Sequence, residues 1–170
     1  MAMDNRVTED NKYLLDVSLA DQKLTLMHAN KALAEFTIST ALNGAGERLN
    51  SECTPRGRHR IAEKIGDGCA VNTVFVGRKA TGETYSEHLR NQYPGRDWIL
   101  TRILRLAGVE QGLNKGGDVD TFDRMIYIHG SPADVQMGVA GSHGCIRMRN
   151  QDVIRLFDMV PISTEVYIHD

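Results

Sequence analysis

The residues whose side chains are best suited to catalysis lie near the carboxyl end of the chain, where a histidine is followed sixteen positions later by a cysteine. His129 closes a β-branched and aromatic run, and Cys145 lies in the hexapeptide Ser-His-Gly-Cys-Ile-Arg that begins at Ser142. A thiol becomes an attacking thiolate only when a base takes its proton. A glycine beside the thiol lets the backbone bend until amide N–H groups face a developing oxyanion. These residue types predict a cysteine nucleophile for acyl transfer.

Two histidines compete for the role of the base. His129 lies at the edge of a predicted strand, whereas His143 is two positions from Cys145 and would share its face in an extended segment. Either histidine could instead be a hydrogen-bonded structural residue, and a lone cysteine is often a small buried hydrophobe. We favour His129 as the base.

The backbone and charged groups around the cysteine have predicted roles of their own. The N–H groups of Gly144 and Cys145 would form an oxyanion hole, each worth on the order of 3 kcal/mol of barrier. Arg147 lies two residues beyond the thiol, and its guanidinium fork suits a carboxylate. The alternative for Arg147 is a solvated surface charge.

The pattern His-Gly, followed by Ser-His-Gly-Cys-Ile-Arg, resembles the L,D-transpeptidase catalytic domain, also called the YkuD-like domain. That family consists of cysteine acyltransferases that act on the peptide stems of peptidoglycan. By this resemblance Cys145 attacks, His129 is the base, and the carbonyl of Gly130 orients its ring. The expected catalytic residues are Cys145, His129, Gly130, His143 and Gly144, and the expected substrate-binding residues are Arg147 and Ser142.

The resemblance also implies a reaction. The donor is a peptidoglycan tetrapeptide or muropeptide, attacked at the carbonyl that joins diaminopimelate to the terminal D-alanine, with a thioester on Cys145 as the intermediate. Water as the acceptor would make the protein an L,D-carboxypeptidase in peptidoglycan recycling, which we favour. An amine as the acceptor would make it a transpeptidase that cross-links two diaminopimelate residues. No cofactor is implied.

The same residues are compatible with two further classes of function. His129, His143 and Cys145 could together ligate zinc, but no helical His-Glu-x-x-His pattern accompanies them, and we expect no metal. A peptidoglycan-binding module without catalysis would explain a small β domain. It would leave a free cysteine beside two histidines without a purpose.

The composition of the chain limits the classes of binding partner and the cellular compartment that we expect. The 170 residues carry a net charge of −2 with a pI near 6.3, which gives no electrostatic case for binding nucleic acid or an anionic membrane. The first ten residues show no basic region followed by an apolar run, so we expect no secretory signal. Three cysteines cannot all pair within one chain, and a reactive thiol is easiest to keep in the cytoplasm. The alternative is a periplasmic protein whose signal was removed.

The elements that must position these residues are mostly strands. Residues 13–40 alternate apolar and polar side chains between short turns, which predicts a β-meander. Further strands are predicted near 58–62, 71–76, 99–106, 126–130 and 164–168. Residues 99–106 also fit a helical face, but Gly108 ends a short run rich in β-branched residues, which favours a strand.

One helix is firmly predicted after Cys145. Asn150 is its expected cap, and Val153, Ile154, Leu156 and Phe157 form its apolar face, up to Pro161. The dipole of that helix is expected to favour a thiolate at Cys145. Residues 66–97 are the least readable, with a short helix or lid near 86–91. The chain is therefore predicted to be one mostly β domain over 1–170, an L,D-transpeptidase-like β-sandwich, with residues 1–12 flexible.

Overall fold

The computed structural model describes residues 12–170. The flexibility predicted for residues 1–12 therefore concerns residues that lie, except for Lys12, outside the described part. The strands are β1 (Tyr13–Ser18), β2 (Lys23–His28), β3 (Lys31–Thr37), β4 (Gly57–Ile65), β5 (Thr73–Val76), β6 (Lys79–Thr84), β7 (Ile99–Gly108), β8 (Tyr127–Ser131), β9 (Ile146–Arg149) and β10 (Glu165–His169). The helices are α1 (Glu87–Gln92) and α2 (Asn150–Met159). The predicted mostly β class is confirmed.

The first three strands form the predicted meander. Alternation sends every second side chain inward, so Leu15 pairs with Leu26 across β1 and β2, and Leu24 pairs with Phe36 across β2 and β3. All four side chains are buried. The last strand, β10, lies parallel to β1 on its other edge. The two ends of the described chain are thus joined in one sheet.

The sheet follows the order β3-β2-β1-β10-β4-β7-β5-β6, and β8 adds to β7 and carries β9. It then curls back toward its starting edge. Ser39, just beyond β3, exchanges two backbone hydrogen bonds with Arg147 of β9, at 3.0 and 2.8 Å. This pairing ties the strand that follows the cysteine to the opposite edge of the same sheet.

A single large core fills the inside of the curled sheet. It contains apolar side chains from β1, β2, β4, β7, β8, β9 and β10. Helix α2 covers it with Val153, Leu156 and Phe157, three of the four residues predicted for its apolar face, while the fourth, Ile154, is half-buried and outside the core. Neither helix in the described part of the chain is long and apolar enough to cross a membrane.

Strand β7 confirms the strand predicted over residues 99–106, and the structure shows that it is the central element of the sheet. Along one edge it pairs with β5 and then with β4, and along the other edge it pairs with β8. Its pairing with β8 is interrupted between Leu100 and Ile103, where Thr101 has a φ of +74°. This irregularity lies directly opposite the segment that carries His129 and Gly130.

Two short strands and one cap differ from the prediction. Strand β6 lies within the least readable segment, at residues for which no strand was predicted, and β9 separates Cys145 from α2 by four residues. The N-cap position of α2 is Arg149, without a side-chain cap, because the side chain of Asn150 is used elsewhere. Cys145 therefore does not lie at the N-terminus of a helix, and the expected dipole effect on its thiol is absent.

Candidate active site

Strands β8 and β9 place the histidine and the cysteine on one face of the sheet. They run parallel, with Ile128 beside Ile146 and His129 beside Arg147. Ile128 and Ile146 are fully buried in the core. Because side chains alternate along a strand, His129 and Arg147 lie on the opposite face, and Cys145, two residues before Arg147, joins them. Cys145 packs there against the cluster of Phe75, Ile103 and Tyr127.

The imidazole of His129 is held in one tautomer. Its Nδ1 lies 2.7 Å from the carbonyl oxygen of Gly130, which can only accept a hydrogen bond, so Nδ1 carries the proton. Nε2 therefore presents a lone pair. Within residues 12–170 this buried nitrogen has no hydrogen-bond partner. Burial lowers the pKa of His129, which keeps the ring neutral.

The thiol of Cys145 is held by backbone groups. The N–H of Tyr127 donates to Sγ at 3.3 Å, and Sγ lies 3.5 Å from the carbonyl oxygen of Met125. Burial raises the pKa of the thiol to about 12, although the Tyr127 hydrogen bond acts in the opposite direction. The resting pair is thus a neutral thiol and a neutral imidazole.

The loop that presents the thiol is shaped by Ser142 and Gly144. The Ser142 hydroxyl donates to the Cys145 carbonyl at 2.5 Å and accepts from the Gly144 N–H at 3.2 Å. Ser142 is buried, so the structure places it beneath the loop, whereas the sequence suggested contact with substrate. The Gly144 N–H, one expected oxyanion donor, is bound to Ser142 at rest.

Only glycine fits at position 144. Its φ is +134°, and a Cβ there would lie 3.1 Å from the Ile126 side chain and 3.3 Å from the Cys53 carbonyl oxygen. The hydroxyl of Thr54 donates to the Gly144 carbonyl at 2.9 Å and accepts from the N–H of Ala41. The segment before β4 therefore buttresses the cysteine loop.

The thiol opens into a cleft of about 260 Å³. Exposed His143 lines the cleft beside half-buried Cys145. Among the other lining residues are Asp97, Arg78 and Arg124. His129 does not line the cleft and is fully buried.

Arg147 and Arg124 are engaged by the protein itself. The terminal nitrogens of Arg147 bind the Asp97 carboxylate and the Gly141 carbonyl, each at 3.1 Å. The guanidinium of Arg124 donates to three carbonyls and one hydroxyl between residues 46 and 53. A substrate carboxylate could bind Arg147 only in competition with Asp97.

Several cleft residues were missed by reasoning from the sequence. Arg78 and Asp97 lie within 66–97, the least readable segment, and Arg124 precedes β8 outside any motif. Tyr127 was read only as a strand residue, yet its N–H binds the thiol. No spacing along the chain marks these residues, since they meet only through the pairing of β5, β7 and β8.

A polar network lies behind Gly130. The Thr101 hydroxyl donates to Oδ1 of Asn150 at 2.8 Å and accepts from the N–H of Asn72 at 3.1 Å. The side chain of Asn150 in turn donates to Oδ1 of Asn72 at 2.9 Å. This network connects the irregularity of β7 to the start of α2.

Metal-ligating side chains are not gathered at this site. Within residues 12–170, no group of three or more His, Cys, Asp or Glu side chains is arranged to hold an ion. The site offers a thiol and a neutral imidazole with a free lone pair, the two groups that proton transfer to a base requires, and no hydrogen bond joins them at rest.

The chain is similar to known proteins in both sequence and fold. Residues 12–168 match the family model of the L,D-transpeptidase catalytic domain. The chain is 30% identical over 152 residues to YkuD of Bacillus subtilis, an alignment that covers 82% of this chain and 92% of that relative. It is 49% identical over 100 residues to ErfK/SrfK of Escherichia coli, which covers 59% of this chain and 31% of that relative. Both relatives bear the name L,D-transpeptidase.

The fold is shared with solved structures at low sequence identity. An L,D-transpeptidase from Mycobacterium smegmatis superimposes with a TM-score of 0.60 at 17% identity. The superposition covers 94% of this chain and 59% of that one. The chain thus spans about a third of the ErfK/SrfK relative and somewhat over half of the mycobacterial structure.

Proposed function

The chain belongs to the L,D-transpeptidase catalytic domain family, and on that premise we propose that it is a cysteine acyltransferase of peptidoglycan tetrapeptide stems. Its substrate is a tetrapeptide or muropeptide, cleaved between diaminopimelate and the terminal D-alanine. Cys145 is the nucleophile and His129 the base, with His143 supporting the site from the exposed side of the cleft.

The observation that supports this proposal most strongly is the tautomer of His129 and the free lone pair on its Nε2. The 2.7 Å contact with the Gly130 carbonyl fixes the proton on Nδ1, so that Nε2 has a free lone pair on the face that holds Cys145. A neutral carbonyl takes the orienting role that a carboxylate has in a Ser-His-Asp triad. Burial keeps the ring neutral and therefore able to accept a proton.

Acylation follows from this arrangement. The thiol leaves the Met125 carbonyl, transfers its proton to Nε2 of His129, and Sγ forms a bond to the stem carbonyl carbon. The carbon–nitrogen bond to D-alanine breaks as the imidazolium returns the proton to the leaving amine. The proton moves only during attack, because neither the thiolate nor the imidazolium is favoured at rest.

The oxyanion is stabilised by backbone donors of the same loop. The Cys145 N–H is one of them. The Gly144 N–H becomes the second only when its 3.2 Å hydrogen bond to Ser142 is exchanged for the developing oxyanion. We therefore assign Ser142 to holding the loop, not to binding substrate. A carboxylate-binding role for Arg147 stays a prediction that requires displacement of Asp97.

Water is the acceptor that we favour, which makes the protein an L,D-carboxypeptidase. The half-buried thiol lies in an open cleft that solvent can enter, whereas a transferase must protect its acyl intermediate from water. Deacylation forms the new carbon–oxygen bond, breaks the carbon–sulfur bond and returns the proton to the thiol through His129. The second candidate is a transpeptidase that cross-links two diaminopimelate residues.

Incubation of the protein with a purified tetrapeptide stem, followed by mass analysis, tests the proposal. Tripeptide and free D-alanine are expected in equal amounts, and Cys145→Ala should release neither. Cross-linked dimers, or exchange of a D-amino acid into position four, would assign the transpeptidase activity instead. Full activity of Cys145→Ala would remove the cysteine mechanism altogether.

A cytoplasmic location belongs to the same proposal. All three thiols, of Cys53, Cys69 and Cys145, are free, which suits a reducing compartment. Fractionation of the native protein checks the location, and recovery with the periplasmic fraction would favour the wall-directed alternative.

A further inference from the structure

Three arginines lie on or beside the cleft that contains the thiol, and they differ in what they already bind. Arg147 is held by a carboxylate and a carbonyl, and Arg124 by carbonyls and a hydroxyl. Arg78 lies in the same cleft as Cys145 and contacts only neutral groups among residues 12–170: the Tyr127 hydroxyl at 3.2 Å and the Met125 sulfur at 3.9 Å. We propose that Arg78 is the residue that binds a carboxylate of the acyl donor.

The position of Arg78 is set by the hairpin between β5 and β6. Val76 pairs with Lys79, so Gly77 and Arg78 form a two-residue turn. Both have positive φ, +54° and +64°, which is the geometry of the tight turns that match the twist of a hairpin. The guanidinium is therefore presented from a defined turn and not from a long loop.

Tyr127 connects Arg78 to the reacting thiol. The hydroxyl of Tyr127 binds the guanidinium, and the backbone N–H of the same residue donates to Sγ of Cys145. Because Arg78 and Cys145 line the same cleft, a donor peptide with its scissile carbonyl at the thiol has room to extend toward Arg78. Both hydrogen bonds of Arg78, to the Tyr127 hydroxyl and the Met125 sulfur, come from one terminal nitrogen, so most of the five guanidinium donors are available to a ligand.

The chemistry of the ligand follows from the charges of the cleft. Asp97 is neutralised by Arg147, so the charge on Arg78 is not balanced by a carboxylate in contact with it. A guanidinium fork recognises a carboxylate by two parallel hydrogen bonds. The proposed stem has two candidates, the side-chain carboxylate of diaminopimelate and the terminal carboxylate of D-alanine. This inference rests on the proposed function and names the group through which that substrate is selected.

Binding of stem peptides to Cys145→Ala protein, which cannot turn them over, tests the assignment by calorimetry. The peptides are the free tetrapeptide, the tetrapeptide amidated on diaminopimelate, and the tetrapeptide amidated on D-alanine. Arg78→Ala should weaken binding of the free peptide by about 10- to 100-fold, the usual cost of losing a charge-assisted hydrogen bond. Arg78→Lys should recover part of the loss, and Lys79→Ala, one residue further along the hairpin, should cause none.

The amidated peptides identify the carboxylate. Amidation of the contacted group should weaken binding to the Arg78-containing protein and have no further effect in Arg78→Ala, while amidation of the other group should act equally in both. An equal effect of Arg78→Ala on all three peptides, no effect on any, or no binding of the stem at all would overturn the inference. The binding results could also follow the expected pattern while the unsubstituted protein releases no D-alanine. That outcome would support the role of Arg78 in binding and reject the proposed reaction.

Discussion

The Thr101 hydroxyl donates to the side-chain oxygen of Asn150 at 2.8 Å, directly behind Gly130. These residues lie on β7 and at the start of α2, and Asn72 completes the network from the segment before β5. The carbonyl that orients His129 belongs to Gly130, so the network supports the backbone that sets the imidazole.

Removal of the amide in Asn150→Ala should reduce turnover more than substrate binding. The substitution leaves the proton of the buried Thr101 hydroxyl without an acceptor and the Asn72 amide oxygen without its donor, at a cost of about 1–3 kcal/mol in stability. We expect a lower kcat with little change in KM, because the base is displaced while the cleft is not. Thr101→Val, which removes the hydroxyl and keeps the shape, should repeat the pattern. Equal changes in kcat and KM would mean that the network only supports folding.

Addition of a methyl group at position 130 should destabilise the protein. A Cβ on Gly130 would lie 2.6 Å from the Leu100 carbonyl oxygen and 3.2 Å from the Thr101 side chain. We expect Gly130→Ala to lower the free energy of unfolding by about 1–3 kcal/mol, measured by denaturant titration. Gly95→Ala is the control, because a Cβ at that position meets no atom within 4 Å. Equal stability of the two variants would show that the crowding at position 130 relaxes freely.

The thiol should react slowly at neutral pH and faster as the pH rises. A thiolate paired with an imidazolium would react well below the ordinary thiol pKa of about 8.5, but burial raises the pKa of Cys145 to about 12 and lowers that of His129. Alkylation of Cys145 by iodoacetamide, mapped by peptide mass, should increase continuously from pH 7 to pH 10. A plateau of fast alkylation between pH 5 and pH 7 would establish an ion pair in the free protein.

A carbapenem should label Cys145 and no other thiol. A strained lactam carbonyl accepts the sulfur as the stem carbonyl does and leaves one adduct mass on the intact protein. Imipenem is the probe, and Cys145→Ser should lose the thioester adduct while Cys53→Ser retains it. An adduct that maps to Cys53 or Cys69 would contradict the assignment of the nucleophile.

Acid should destabilise the fold through buried His59. Its Nδ1 donates to the Gly57 carbonyl and its Nε2 contacts the Thr121 hydroxyl, and burial lowers its pKa from 6.5 to about 4. The unfolded chain takes up a proton below pH 6.5 and the folded chain only near pH 4. Stability is therefore fully present above pH 6.5 and falls by about 3 kcal/mol toward pH 4.

His59→Gln tests this pH dependence. The variant should be less stable at pH 7 but should lose less stability between pH 7 and pH 4.5, measured by denaturant titration at each pH. His129 contributes with the same sign and remains in both proteins, so the difference in slope reports His59 alone. Parallel slopes would show that His59 does not titrate with folding.

The local periodicity of the sequence determined most of the strands and the covering face of α2. Alternation over residues 13–40 sends one side of each meander strand inward, so burial there follows from the pattern, whereas β7 is buried on both faces. The hexapeptide around Cys145, with His129 before it, likewise marked the segment that forms the cleft. Patterns of this kind involve residues that are close in the sequence, so they can be recognised without the folded structure.

The short strand β9 and the capping of α2 were instead decided by contacts between residues that are distant in the sequence. Strand β9 exists because Ile146 pairs with Ile128 and Arg147 with Ser39, contacts between residues far apart in the sequence. Asn150 was expected to cap α2, yet its side chain is bound by Thr101 and Asn72, which the sequence does not bring near. Tertiary hydrogen bonds override local capping preference at this position.

The sequence by itself determined that this is a mostly β domain and marked a histidine, a glycine and a cysteine as candidates for acyl transfer. Only the tertiary structure decided their electrostatic state, because burial depends on neighbours from the whole chain and makes both Cys145 and His129 neutral. The tertiary structure also decided which arginine is free of a carboxylate partner and so available to a carboxylate of the donor. Spacing pointed to Arg147, but the folded chain brings Asp97 to that guanidinium and places Arg78, from a hairpin without any motif, in the cleft.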